Sequence, residues 1–85
     1  MAIRIVVEDS LTPVKVRLRA GGYDVLNLAG GVPRDAQAVV VNGMDTDLLG
    51  RQDIVAAIPV INAEGRSAED VATEVGRRIA RFPRA

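Results

Sequence analysis

The chain alternates short, almost wholly apolar runs with stretches of helical periodicity. Ile3-Arg4-Ile5-Val6-Val7 is β-branched and nearly continuous in apolar character, the pattern of a strand covered on both faces. After it, Ser10 or Thr12 is placed to cap a helix that carries Pro13 in its first turn, where a missing N–H costs nothing. Leu11, Val14 and Leu18 recur at helical spacing with Lys15, Arg17 and Arg19 turned outward, and Gly21-Gly22 predicts a left-handed stop.

Tyr23 through Leu28 alternates apolar and polar positions and suits an edge strand. Ala29 to Ala36 is rich in turn residues and too short for a proper helix. Ala38-Val39-Val40-Val41 is a second fully apolar run, hence a second central strand. Asp45 through Ala57 holds Leu48, Leu49, Ile54 and Val55 in a broken helical pattern, interrupted by Gly50, which predicts one short helix or helical turn. Ile58-Pro59-Val60-Ile61 is the fourth strand, and Pro59, having no N–H for a ladder, belongs at a strand start or on an edge. Ser67 and Asp70 form a weaker capping box before Ala68, Val71, Ala72, Val75, Ile79 and Phe82, which fall on one helical stripe. Gly76 lies beside that stripe, where it would let the helix approach the sheet closely.

Strands alternating with helices, and continuous apolar runs, imply a parallel sheet with right-handed crossovers. With both fully apolar runs central, the expectation is an α/β fold: a small Rossmann-like three-layer domain over residues 1–85, with a four-stranded, mostly parallel sheet in the order 2-1-3-4. The short connection after Leu28 keeps a hairpin between strands 2 and 3 open as the competing topology, because parallel crossovers usually take a dozen residues or more.

Composition narrows the chemistry. Eighty-five residues, 48% apolar and 26% charged, describe one globular domain with room for one site, at most two. There is no Cys and no His, which removes disulfides, thiolate metal sites, Cys nucleophiles and the commonest general base. Eleven basic residues balance eleven acidic ones, so no overall field attracts nucleic acid or anionic lipid. The first apolar run is too short for a membrane span or a signal peptide, so a cytoplasmic setting is expected. Tyr23 and Phe82 are the only aromatic residues. A core without large fillers invites a homodimer as a remedy.

In open parallel sheets ligands bind beyond the carboxyl ends of the strands, near the point where strand order reverses. Those ends carry Glu8, Asp9, Ser10, Asn42, Gly43, Asp45, Asn62 and Glu64, which are the candidate ligand-binding residues. Each also has an ordinary role available, Ser10 and Asp45 as helix caps and Gly43 as a turn residue. The convergence of Glu8, Asp9 and Asp45 is similar in layout to the acidic pocket of phosphoacceptor receiver domains. The match fails at the acceptor position, which is Asn42, and Lys15, the only lysine, stands at the wrong place to serve as partner. The small sugar-transport IIB modules share the architecture but use a Cys or His that this chain lacks. No Walker or dinucleotide fingerprint is present, since Gly30-Gly31 is followed by Val32-Pro33. Arg77, Arg78, Arg81 and Arg84 read as a solvated basic end of the last helix, where cations suit the macrodipole.

Taken together, Val7-Glu8-Asp9-Ser10-Leu11-Thr12, Gly22-Tyr23-Asp24-Val25, Asp35-Ala36, Val40-Val41-Asn42-Gly43-Met44-Asp45, Leu49-Gly50 and Ala63-Glu64-Gly65-Arg66-Ser67 resemble the YkuS-like family of small bacterial proteins of uncharacterised function. The resemblance runs nearly the full length. It implies a small cytoplasmic α/β domain and carries no reaction, cofactor or catalytic residue with it.

The functional expectation is a non-enzymatic binding or regulatory module that uses the strand-end loops to hold a small polar ligand or a protein partner, with no cofactor and no resident metal. Two alternatives come from other classes: a Mg2+-dependent hydrolase or transferase using Asp9 or Asp45 as base, and a self-associating structural protomer. The sequence names no catalytic residue, ligand or oligomeric state.

Overall fold

A computed structural model of the protein describes residues 3–43 and 58–81. The expected helix between Asp45 and Ala57, Asp45 itself and Phe82 lie outside the described residues. Among the described residues four strands and two helices are formed: β1 (Arg4–Val7), α1 (Thr12–Ala20), β2 (Asp24–Asn27), a 3-10 turn (Leu28–Gly30), β3 (Ala36–Val41), β4 (Val60–Asn62) and α2 (Ala68–Arg81). The sheet order is β2-β1-β3-β4 and every pairing is parallel. The hairpin alternative is thereby excluded, because β2 and β3 flank β1 on opposite sides.

Both central strands are covered on both faces, as their unbroken apolar character requires. On one face Ile5, Val7, Val25, Ala38, Val40 and Ile61 pack with Val14 and Leu18 of α1 and Val71 and Val75 of α2. On the other, Val6, Ala36, Val39 and Val41 pack with Leu26, Leu28, Val32, Ile58 and Val60. The described third layer is therefore irregular chain from the β2–β3 connection. Passing from β1 to β2 and then back across β1 to β3, two crossovers of the same hand must lie on opposite faces, and α1 and the Leu28–Val32 segment do.

The connection over residues 28–35 is short for a parallel crossover, and the short strands explain how it suffices. Returning along the four residues of β2 takes about 13 Å and crossing two interstrand spacings takes about 10 Å. The three residues of the 3-10 turn rise about 6 Å and the other five can span about 17 Å, so the path closes without an α-helix.

β3 begins two residues before the apolar run, and the extension carries a bulge. Arg4 is in register with Ala36 but Ile5 with Ala38, which leaves Gln37 as the extra residue. Ala36 and Ala38 consequently face opposite sides of the sheet although they are two residues apart.

The helix termini follow local chemistry with one correction. Gly22, at φ +93°, provides the left-handed stop of α1, with its N–H on the Arg19 carbonyl (3.0 Å) and that of Tyr23 on the Leu18 carbonyl (3.1 Å). Ser67 caps α2 by accepting the Asp70 N–H on Oγ at 3.1 Å. The start of α1 is capped by neither Ser10 nor Thr12. Leu11 holds the cap position without a side-chain bond, Pro13 removes one orphan donor, and the Ser10 hydroxyl is turned to Glu8. Gly76 also plays a different part: among the described residues its missing Cβ would meet the Tyr23 hydroxyl at 3.6 Å, an ordinary contact with a side chain and not with the sheet. Among the described residues no helix is long and apolar enough to cross a membrane.

Val40 is fully buried in β3 between β1 and β4. Val40→Asp places an unpaired charge there at a cost of several kcal/mol, a large share of the ~5–15 kcal/mol that holds a domain together. Its cooperative thermal transition should disappear, whereas Arg34→Ala, in an exposed loop, should melt like the unsubstituted protein. A soluble, cooperatively melting Val40→Asp protein would contradict the central burial of β3.

Candidate functional site

The carboxyl ends of the parallel strands bring together Glu8, Asp9, Ser10, Asn42, Gly43, Asn62 and Glu64. β1 ends at Val7, and the ladder continues one step through the Glu8 N–H, which donates to the Val40 carbonyl at 2.9 Å. This fixes the Glu8 side chain beside the exit of β3. Its Oε1 accepts the Asn42 N–H at 3.1 Å and its Oε2 accepts the Ser10 hydroxyl at 2.9 Å. One carboxylate thus joins two loops across the strand boundary where the order reverses.

Asp9 points the other way. Its Oδ1 accepts the Ala29 N–H at 3.2 Å, tying the turn after β1 to the 3-10 turn after β2. Asn62, at the end of β4, accepts two backbone N–H groups on Oδ1, from Gly43 and from Glu64, both at 2.9 Å. The amide side chain therefore joins the exits of β3 and β4. Gly43 adopts φ +89°, which a side chain would strain, and its open Cα face lies near the Glu64 carboxylate: a Cβ there would sit 3.8 Å from Oε2.

Of the residues picked out in the sequence, Glu8, Ser10 and Asn42 form one bonded group and Gly43, Asn62 and Glu64 another, joined through Asn42-Gly43. Asp9 is directed away from both, and Asp45 lies outside the described residues. Three of the expected ligand side chains already serve as acceptors for loop backbone. Among the described residues no three His, Cys, Asp or Glu side chains gather as a metal site. The Ser10 hydroxyl donates to Glu8 at the spacing of a nucleophile and base, and the Asn42 N–H that orients the carboxylate at the same time ties it to the β3 exit.

Residues 3–78 match the uncharacterised protein family UPF0180. The chain belongs to this family. It is 42% identical to the UPF0180 protein YkuS of Bacillus subtilis over 82 residues, covering 93% of this chain and 99% of that one. It is 38% identical to a UPF0180 protein of Geobacillus kaustophilus over 89% of this chain and 96% of the relative. A third relative, from Halalkalibacterium halodurans, is 39% identical over 89% and 94% of the two chains. No solved structure matches the chain.

Two charged arrangements of this UPF0180 chain escape a reading by hydrophobic pattern. Arg17, expected to face solvent, reaches across to α2 and grips Glu69 with both ends of its guanidinium, at 3.1 and 3.0 Å. That bond lowers the Glu69 carboxyl below its ordinary value and raises Arg17. Glu74 is a buried carboxylate at 7% exposure, held by Arg78 Nε at 2.7 Å, by Arg77, and by Arg66 at 3.6 Å. The spacing of Glu74 to Arg77 and Arg78 was a visible signal, since residues three and four apart share a helix face. Beside the end of β2, a hollow of about 390 Å³ is lined by Leu26, Asn27, Gly30, Gly31, Val32 and Pro33. Its one polar side chain, Asn27, already accepts from Lys15 at 3.2 Å.

The clamps predict an inequality. Asn62→Ala removes the acceptor for two N–H groups and should lower stability by about 1–3 kcal/mol, at ~0.5–1.5 kcal/mol for each bond. Ser10→Ala should change it by no more than ~0.5 kcal/mol, because Ser10 caps no helix. Denaturant melts of the two variants check this, and equal losses would refute the division of roles.

Acid titration gives a second expectation. The Arg78 hydrogen bond holds Glu74 below its ordinary value, with Arg77 adding to it against the opposing effect of burial. The unfolded chain therefore takes up the proton first, and the stabilisation is complete above the unfolded value near 4.5 and lost as pH falls through the lower folded value. Thermal melts between about pH 3 and pH 6 should show stability falling with acid, and Glu74→Gln should flatten part of that slope.

Proposed function

We propose that this protein is a non-enzymatic binding or regulatory module, acting in the cytoplasm, that presents the loops after β1, β3 and β4 to a small polar ligand or a protein partner. The observation that carries this reading is the use of Glu8 and Asn62 as bridges to the backbone of the β3 exit. The bridges hold the turn after β1 and the start of the turn after β4 to Asn42 and Gly43 at the β3 exit. Ordering loops before a partner arrives reduces the entropy lost on binding, which is the advantage of preorganisation. The exposed Asp9, Ser10, Asn42 and Glu64 and the half-buried Glu8 supply polar contacts on that rim. Specificity then comes from local matching, in keeping with a net charge of zero.

The test is a titration of isotopically labelled protein with a panel of metabolites, nucleotides and Mg2+, reading backbone amide shifts. Binding at the rim should move residues 8–12, 42–43 and 62–66 together, because the bridges couple them. Shifts confined to other surfaces, or none across the panel, count against the small-ligand form of the proposal. Glu8→Gln should keep the fold while weakening binding; unchanged affinity in that variant assigns Glu8 to the scaffold. Mg2+ at millimolar concentration should change neither the spectra nor the melting temperature, and a clear stabilisation would favour the hydrolase reading instead.

A further inference from the structure

We propose that Asn42 is a site of spontaneous deamidation, and that the Asn62 side chain sets its rate by holding the Gly43 amide. The inference is independent of the binding reading, since it concerns the covalent fate of the β3 exit whatever docks there.

Asn42 is one of three asparagines and the only one followed by glycine. In the reaction the Gly43 nitrogen gives its proton to solvent base and attacks Asn42 Cγ. The N–Cγ bond forms, the Cγ–Nδ2 bond breaks, and Nδ2 leaves as ammonia after taking a proton from water. Water then opens the five-membered imide. Cleavage at Cγ gives aspartate, and cleavage at the main-chain carbonyl gives an isoaspartyl link. One water is consumed, one ammonia is released and no electron changes hands.

Glycine makes the attack easy because no Cβ crowds the incoming nitrogen. Asn27 and Asn62 are followed by Leu28 and Ala63, and Ala63 is buried with its N–H held on the Val41 carbonyl at 2.7 Å. Asn42 is exposed, just past the end of β3, so water and base reach it. What restrains it is the Gly43 N–H, which donates to Asn62 Oδ1 at 2.9 Å. The peptide must leave that bond before its nitrogen can turn on Asn42 Cγ. Conversion has a structural consequence too. A new carboxylate at position 42 would stand beside Glu8, which accepts the Asn42 N–H, and an isoaspartyl link would lengthen the backbone between the Glu8 and Asn62 bridges.

The experiment incubates the full chain at neutral and mildly alkaline pH and follows each asparagine by peptide mass spectrometry, with the urea-unfolded chain as reference. Asn42 should convert, Asn27 and Asn62 should not within the same period, and native protein should be slower than unfolded. Asn62→Ala should speed native conversion roughly five- to tenfold, the equivalent of one net hydrogen bond. Asn62→Asp keeps the acceptor and should stay near the unsubstituted rate. Cooperative melts establish that each variant is folded. If Asn62→Ala loses its fold, the native-to-unfolded ratio of the unsubstituted chain and the Asn62→Asp rate decide the matter. The proposal is overturned if a folded Asn62→Ala converts no faster, if native and unfolded rates are equal, or if Asn27 converts as fast as Asn42.

Discussion

The structure depends on one constraint: β1 and β3 lie side by side and are buried on both faces. Ile5, Val6, Val7, Val39, Val40 and Val41 are all at 0% exposure, so no polar residue can alternate into these runs and no face can be left to water. Parallel pairing meets this constraint, because each crossover lays covering chain on one face of the sheet or the other. The edge positions of β2 and β4 follow as well, since their partly exposed runs cannot satisfy the centre. The path over residues 28–35 then has to serve twice, as a connector across β1 and as cover for Val6, Val39 and Val41.

A core of this kind leaves its polar requirements to the ends of the strands. At the amino end Arg4 is paired with Asp24 at 3.3 Å and Asp35 at 3.2 Å, linking β1 to the starts of both neighbours. Such exposed pairs contribute little energy each, but their placement opposes a slip of register. At the carboxyl end the work passes to hydrogen bonds from loop backbone to Glu8, Asp9 and Asn62. Backbone groups must find partners wherever strands stop, and here side chains meet that demand for Ala29, Asn42, Gly43 and Glu64. Residues that look like a site are therefore first of all parts of the scaffold.

The division between what could and could not be read from the residues has the same origin. Strand order, parallel sense and the stop of α1 were legible because they follow from apolar periodicity and from glycine, both local signals. The bulge at Gln37 was not, since it depends on the register between Arg4 and Ala36 and no residue type marks it. That neither Ser10 nor Thr12 caps α1 is not marked by residue type either, since a serine at position 10 has both the helix N-terminus and the Glu8 carboxylate as options and takes the second. The bidentate Arg17–Glu69 bridge spans 52 positions and belongs to the docking of α1 on α2, which no pattern along the chain encodes. At the rim, the topology places the described candidate residues at the strand ends, but their hydrogen-bond directions are not written in the residue types. An aspartate beside a glutamate can converge on a ligand or turn to opposite neighbours, and here Asp9 turns to β2 while Glu8 turns to β3.

That last distinction shapes what the rim can do. Glu8 and Asn62 meet at consecutive residues, Asn42 and Gly43, so the exits of β1, β3 and β4 share one point of attachment. A force or a contact applied to any of the three loops is transmitted through two hydrogen bonds to the others, whereas the Asp9–Ala29 bond leaves the β2 exit outside that group. In physical terms the described rim is one bonded group at the exits of β1, β3 and β4, beside a separate β2 exit. A partner that engages the three together gains from their prior ordering, while one that reaches only the β2 side gains nothing from it. The β3 exit is then the position at which the bridges of the fold and the proposed binding rim share the same two residues.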